Sequence, residues 1–171
     1  NEIETIYEKA PEKVLCVYQG TIETMIALGL ETHTVACYGL DNPVKTEWET
    51  GLGKMNYNTD VFAPDKETVL MMEPDMIFSW SSLFSDKTLG STAEWIANGT
   101  NTYISTNTRR GGHRSTLENE YMDLLNIGKI FHVEDRAQAI VDEMKREISG
   151  VLSQTAGPDT PTVSIIEFLG D

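Results

Sequence analysis

Pro64-Asp65-Lys66-Glu67-Thr68-Val69-Leu70-Met71-Met72-Glu73-Pro74-Asp75-Met76-Ile77-Phe78-Ser79-Trp80 changes period halfway along its length. Asp65, just after a proline, opens a helix that carries Val69, Leu70 and Met72, and Pro74 ends it because proline cannot continue the ladder. The run Met76-Ile77-Phe78-Ser79-Trp80 then shows no apolar–polar alternation, the pattern of a strand covered on both faces. A helix that delivers the chain into such a strand is the unit from which parallel sheets are built.

The same unit repeats in both directions. Toward the N-terminus, Val14-Leu15-Cys16-Val17-Tyr18 is a continuous apolar strand. A helix capped by Thr21 follows, with Ile22, Met25 and Ile26 inward and Gly29 as its stop. Thr34-Val35-Ala36-Cys37-Tyr38 is the next strand, closed by Gly39. Residues 40–60 read as a long polar loop containing Trp48 and Tyr57, of a length that marks functional or mobile segments. Toward the C-terminus a helix is expected over 86–98, with Leu89, Ala93, Ile96 and Ala97 on one face and Gly99 as its stop. A short strand over 102–105 comes next. Ser115-Thr116-Leu117-Glu118 reads as a capping box that opens a helix with Leu117, Tyr121, Leu124 and Leu125 inward, ended by Gly128. The longest helix covers 133–153. Val133, Ala137, Ile140, Val141, Met144, Ile148, Val151 and Leu152 recur in it at helical spacing, over roughly 30 Å at 1.5 Å per residue. Gly157-Pro158-Asp159-Thr160-Pro161 breaks the chain before one more apolar strand over 163–168. The expected fold is α/β: a Rossmann-like parallel sheet flanked by helices and joined by right-handed crossovers. A further lobe is expected to begin at the last strand.

Composition narrows the function classes. The 171 residues are 40% hydrophobic, the make-up of globular protein. The formal net charge of −14 repels phosphate backbones, so nucleic acid is not an expected partner. No apolar run approaches the ~20 residues of a membrane span, and residues 1–10 are too polar and acidic for a signal peptide. Cys16 and Cys37 fall inside strands and read as small buried apolar residues; with three scattered histidines they propose neither a disulfide framework nor a zinc site. The turn Tyr18-Gln19-Gly20-Thr21-Ile22 lacks the dinucleotide-binding glycines. No phosphate-binding loop or nucleophile elbow occurs, and no catalytic residue is assigned.

In open parallel sheets, ligands sit beyond the carboxyl ends of the strands. That rule selects Tyr18 and Gln19, Tyr38 and Gly39, Trp80, Ser81 and Ser82 with Phe84, and the run Ser105-Thr106-Asn107. Aromatic rings at three of these four strand ends suit a large planar or chelated ligand, although Tyr and Trp also favour the edges of cores. Arg109-Arg110-Gly111-Gly112-His113-Arg114 gathers three arginines and a histidine in a strongly acidic chain. Guanidinium forks there match carboxylate, catecholate or hydroxamate oxygens; the alternative is a surface loop whose arginines pair with nearby acids. His113 is also a possible metal or haem-iron ligand, whereas His33 and His132 read as structural.

Four motifs in register carry a family resemblance. Lys66 to Phe78, with Glu67-Thr68-Val69-Leu70 and Glu73-Pro74-Asp75-Met76-Ile77, resembles the helix-to-strand signature of the binding proteins that serve ABC transporters for ferric siderophores, haem and vitamin B12. Pro11-Glu12-Lys13-Val14 resembles that family's approach to its first strand. The stretch 21–30, with Glu23 and Ala27-Leu28-Gly29, resembles its first helix. Leu125-Asn126-Ile127-Gly128-Lys129-Ile130 followed by Glu134-Asp135-Arg136-Ala137 resembles its passage into a long backbone helix. The 40–60 loop is longer and more polar than the family pattern. The resemblance implies two α/β lobes joined by one rigid helix: here an N-terminal ligand-binding lobe over 1–132, the interlobe helix over 133–156, and over 157–171 a linker with the first strand of a second lobe. It implies a ligand held between the lobes without chemical change, hence no enzyme and no intrinsic cofactor. The expected ligand is an iron chelate, a ferric siderophore or haem, with a corrinoid as the next choice. The implied partner is an ABC permease docked through Glu67, and the implied location is extracytoplasmic, periplasmic or lipid-anchored. Alternatives are a zinc/manganese-type binding protein, a Rossmann-like enzyme, or an interaction domain. The 163–168 strand, if its own sheet is missing, is expected to promote self-association.

Overall fold

The computed structural model describes residues 5–109, 111 and 114–155. Four strands form one parallel sheet: β1 (Val14–Val17), β2 (Thr34–Tyr38), β3 (Met76–Ser79) and β4 (Asn101–Ile104), in the order β2-β1-β3-β4. The chain moves outward from β1 to β2, returns across β1 to place β3, and continues to β4. Strand order therefore reverses between β1 and β3, and that is where an open parallel sheet has its ligand crevice.

Burial explains why these segments are strands. Every residue of β1 and β3 is buried, so both faces need cover. On one face Val14, Cys16, Cys37, Met76 and Phe78 pack with Ile22, Met25 and Ile26 of α1 (Gln19–Ala27), with Ile127 of α5 (Leu117–Ile130), and with Ala137 of α6 (Glu134–Thr155). On the other, Leu15, Val17, Ala36, Tyr38 and Ile77 pack with Val69 of α3 (Lys66–Met72) and Trp95 of α4 (Thr92–Ala97). The expected α/β architecture is present. Both cysteines are free and buried.

Several local expectations need correction. The first helix starts at Gln19, and Tyr18, not Thr21, is its N-cap residue. The helix expected over 86–98 is shorter: Gly90, at φ +79°, turns the chain, and Ser91 with Glu94 forms the capping box that starts α4. That start turns Trp95 inward at 2% exposure, with its Nε1–H donating to Leu89 O, and leaves Ala93 and Ala97 outside. The cap of α5 is Thr116, whose hydroxyl accepts from Asn119 N, rather than Ser115, and Leu117 is exposed. Gly128 does not stop α5. It is where α6 crosses closely, because a Cβ there would lie 2.5 Å from the Ala137 Cβ. The 40–60 segment is partly ordered by a short helix, α2 (Glu49–Leu52), and by Tyr57, which bridges to Cys37 beside β2. The linker and strand expected over 157–171 lie outside the described residues.

Candidate functional site

Parallel strands end together, so one edge of the sheet collects the loops that follow all four. Tyr18 follows β1 and Trp80 follows β3, on either side of the point where strand order reverses. Their rings are stacked, with centroids 3.5 Å apart and planes tilted by 32°. Both are half-buried.

The backbone at Tyr18 is strained. Its φ of +96° with ψ 149° is a region that side chains rarely enter, at a cost of about 1–3 kcal/mol. The surroundings hold it there. Its N–H donates to Tyr38 O at 2.8 Å, and its carbonyl accepts from the Thr21 hydroxyl at 2.8 Å and from Thr21 N and Ile22 N as α1 begins. Its hydroxyl donates to Asp41 Oδ2 at 2.5 Å. Gln19 supports the same loop: its Oε1 accepts from Asn42 N at 3.0 Å while its Nε2 donates to Glu23. Beyond Asp41 a cleft of about 360 Å³ lies between the 40–44 segment and α2, lined in part by Val44, Glu49, Leu52 and Tyr57.

The β3 and β4 loops are tied together. Ser81 N donates to Thr108 Oγ1 at 3.1 Å and the Ser81 hydroxyl donates to Thr108 O. Arg109 directly follows Thr108, so the same contacts fix where exposed Arg109 starts. The anchor beneath is Asp123 on α5, which is buried at 6% exposure. Its carboxylate accepts from Thr106 N at 2.6 Å, the Thr106 hydroxyl at 2.6 Å and the Tyr103 hydroxyl at 2.8 Å. Burial first and the neighbouring Asp123 charge second raise the Tyr103 pKa, so that hydroxyl stays a donor. Asn107 pins the return of the arginine-rich loop: its Oδ1 accepts from Thr116 N at 3.0 Å and from Asn119 Nδ2 at 2.7 Å.

The structure thus brings Tyr18, Gln19, Trp80, Ser81 and Arg109 to one edge. Tyr38 and Thr106 lie behind it, Tyr38 within the core and Thr106 with its hydroxyl committed to Asp123. Phe84 is half-buried against the same core face as Tyr38. Arg114 is exposed at the foot of α5, with its carbonyl accepting from Asn119. Arg110 and His113 lie outside the described residues. Glu67 is exposed in the first turn of α3. His33 is bonded to Pro11 O at 2.6 Å, before β2 and therefore at the opposite edge. Two contributors escaped sequence reasoning. Asp123 carried no motif. Phe62, in the segment before α3, packs edge-on against Tyr18 at 5.7 Å; its only signal was an aromatic residue in a polar stretch. Among the described residues, no group of three or more His, Cys, Asp or Glu side chains is placed to hold a metal ion, and no helix is long and apolar enough to cross a membrane.

Comparison with known proteins gives a consistent answer. Residues 14–170 match the family described as Periplasmic binding protein. A periplasmic binding protein from Veillonella parvula is 32% identical, with a TM-score of 0.79 over 86% of this chain and 47% of its own. An ABC-type Fe3+-hydroxamate transport system protein from Saccharomonospora viridis is 21% identical, with a TM-score of 0.70 over 86% of this chain and 52% of its own. The vitamin B12 binding protein BtuF of Vibrio cholerae is 15% identical, with a TM-score of 0.59 over the same shares. The chain therefore spans about half the length of these solved relatives. No curated protein matches it.

Proposed function

The chain belongs to the periplasmic binding protein family, and from that premise we propose that it supplies one half of the cleft with which an ABC uptake system captures a metal chelate. The preferred ligand is a ferric siderophore, ahead of haem and a corrinoid. The chelate is carried unchanged, outside the cytoplasmic membrane, to a permease of the iron/B12 type. The observation that bears most weight is the stacked Tyr18–Trp80 pair at the reversal of strand order, with Tyr18 kept in a backbone conformation that side chains rarely adopt. Arg109, in the loop that is tied to Ser81 through Thr108, offers a guanidinium to anionic chelate oxygens. In this reading Tyr18, Gln19, Trp80, Ser81 and Arg109 contact ligand, joined by Arg110, His113 and Arg114 from the same loop, while Tyr38, Phe84 and Thr106 support them from behind.

The helix α6 suits the interlobe role. Its 22 residues extend roughly 33 Å at 1.5 Å per residue. Near its C-terminal end Val151 and Leu152 are 61% and 62% exposed, an apolar surface for a second lobe begun over 157–171 to cover. Glu67, exposed on α3, is the permease-docking carboxylate. Glu67→Arg is expected to abolish uptake in cells and leave ligand affinity within about twofold, because surface substitutions away from a site rarely perturb it. Loss of affinity together with uptake would count against that role.

Tryptophan fluorescence tests the main reading. Titrating the full-length protein with a ferric siderophore, haem or cobalamin is expected to give saturable quenching with at least one of them, and Trp80→Phe to remove most of that signal. Flat titrations with all three ligands would reject the proposal.

A further inference from the structure

The aromatic edge extends one ring beyond the Tyr18–Trp80 pair, and its order across the sheet is informative. Phe62 is 48% exposed, beside Val61 at 52%. It lies over the end of β2 because Gly39, at φ +81°, has no side chain: a Cβ there would come within 2.9 Å of Phe62 O and 3.4 Å of the ring Cζ. Phe62 meets Tyr18 with ring planes at 72°, and Tyr18 in turn stacks on Trp80. In sheet order the strand ends therefore carry Phe62 over β2, Tyr18 on β1, Trp80 on β3 and, through the Ser81–Thr108 tie, Arg109 beyond β4. Three rings lie in a row, and the backbone places Arg109 past their β4 end, on a chain of net charge −14.

We propose that this row is a selectivity shelf for iron chelates whose own arms are anionic aromatic rings, of catecholate or phenolate type. The inference rests on the reading that ligand enters at this edge, and it narrows the ligand class. Aromatic arms gain offset or edge-to-face contacts with the shelf that an aliphatic hydroxamate arm cannot make. Their phenolic oxygens suit the fork of Arg109, which also stacks on ring faces. An intact chelate brings its iron fully ligated, whereas haem iron asks the protein for an axial ligand. Among the described residues at this edge the Tyr18 hydroxyl is already directed at Asp41, so haem would depend on His113 for that ligand.

Isothermal titration of the full-length protein tests the shelf, with three probes: a hexadentate ferric tris-catecholate, a ferric trihydroxamate of similar size, and haem. The tris-catecholate is expected to bind at least about tenfold more tightly than the others, the scale of one or two aromatic contacts. Phe62→Leu, apolar but not aromatic, is expected to lose about tenfold for the tris-catecholate and to change trihydroxamate binding by no more than about twofold. Phe62→Trp is expected to retain the preference. Phe62 is half exposed, so both variants should fold, and matching circular dichroism melts check this. Equal affinities, tighter binding of trihydroxamate or haem, or a tris-catecholate affinity indifferent to Phe62→Leu would overturn the shelf and leave the carrier role standing. Failure of all three probes to bind would overturn the shelf, and failure of cobalamin as well would remove the carrier role with it.

Discussion

Asp123 holds the arginine-bearing end of the site in place with three accepted hydrogen bonds. Removing its carboxylate leaves Thr106 N, the Thr106 hydroxyl and the Tyr103 O–H without their acceptor, although Asn126 Nδ2 still donates to the Tyr103 oxygen. Asp123→Ala is therefore expected to lower unfolding stability by about 3 kcal/mol in urea melts, with Asp123→Asn intermediate because an amide oxygen still accepts. A change within 0.5 kcal/mol, about the scatter of neutral surface substitutions, would contradict that role. The thiols give a pH signature. Burial pushes Cys37 from its ordinary 9.0 up to about 12, and burial followed by the Cys37 charge raises Cys16 as well. The unfolded chain releases these protons first, so stability is full below about pH 9 and falls as pH rises toward 12. Urea melts between pH 8 and pH 11 should show that decline, and Cys37→Ala should lessen it while Cys16 keeps the remainder. At this scale the sequence was only partly legible. Tyr18 and Trp80 were readable because each follows an unbroken apolar strand. Asp123 sits between Met122 and Leu124 with nothing to distinguish it from a solvated helical acid. Phe62 takes its place from the missing Cβ of Gly39 and the edge of Tyr18, contacts between segments that no local pattern reports.

Among the elements, α5 and α6 cross closely at Gly128 and Ala137. Gly128→Ala would regain about 1 kcal/mol of helix propensity, but its Cβ would lie 2.5 Å from that of Ala137. Overpacking of about 1–3 kcal/mol exceeds that gain, so a net loss is expected. Combining it with Ala137→Gly should give a protein more stable than the two single effects added together, and strict additivity would count against the close crossing. Helices and strands with strong periodicity were legible: β2 was read with the bounds it has, and α6 to within two residues. Shorter elements were not. A glycine reads as a stop signal, yet Gly128 is a packing device, whereas Gly90, which does turn the chain, was read as helix interior. The face of α4 was misplaced for that reason. Once Ser91 caps the helix, Trp95 falls inward, and its indole fills the space assigned to two alanines.

On the scale of the whole molecule, parallel strand order does what no single residue does. It brings the ends of β1, β3 and β4 to one edge and sends Asp75 to the other, where its carboxylate accepts from Glu12 N and Lys13 N. This edge-to-edge asymmetry followed from helix–strand alternation alone, which is why the carboxyl edge of the sheet was legible before any side chain was placed. The order of the strands was not, because the sequence does not say on which side of β1 the chain returns. That reversal puts Tyr18 against Trp80. The most direct test uses the iron itself: high-spin Fe3+ broadens nearby amide resonances. Adding a ferric chelate to the isotope-labelled full-length protein should erase signals from 18–19, 39–41, 80–82 and 107–109 and spare 12–13, 33–34, 75–76 and 101. Broadening centred on the second group, or none at saturating chelate, would contradict a ligand site at the carboxyl edge of the sheet.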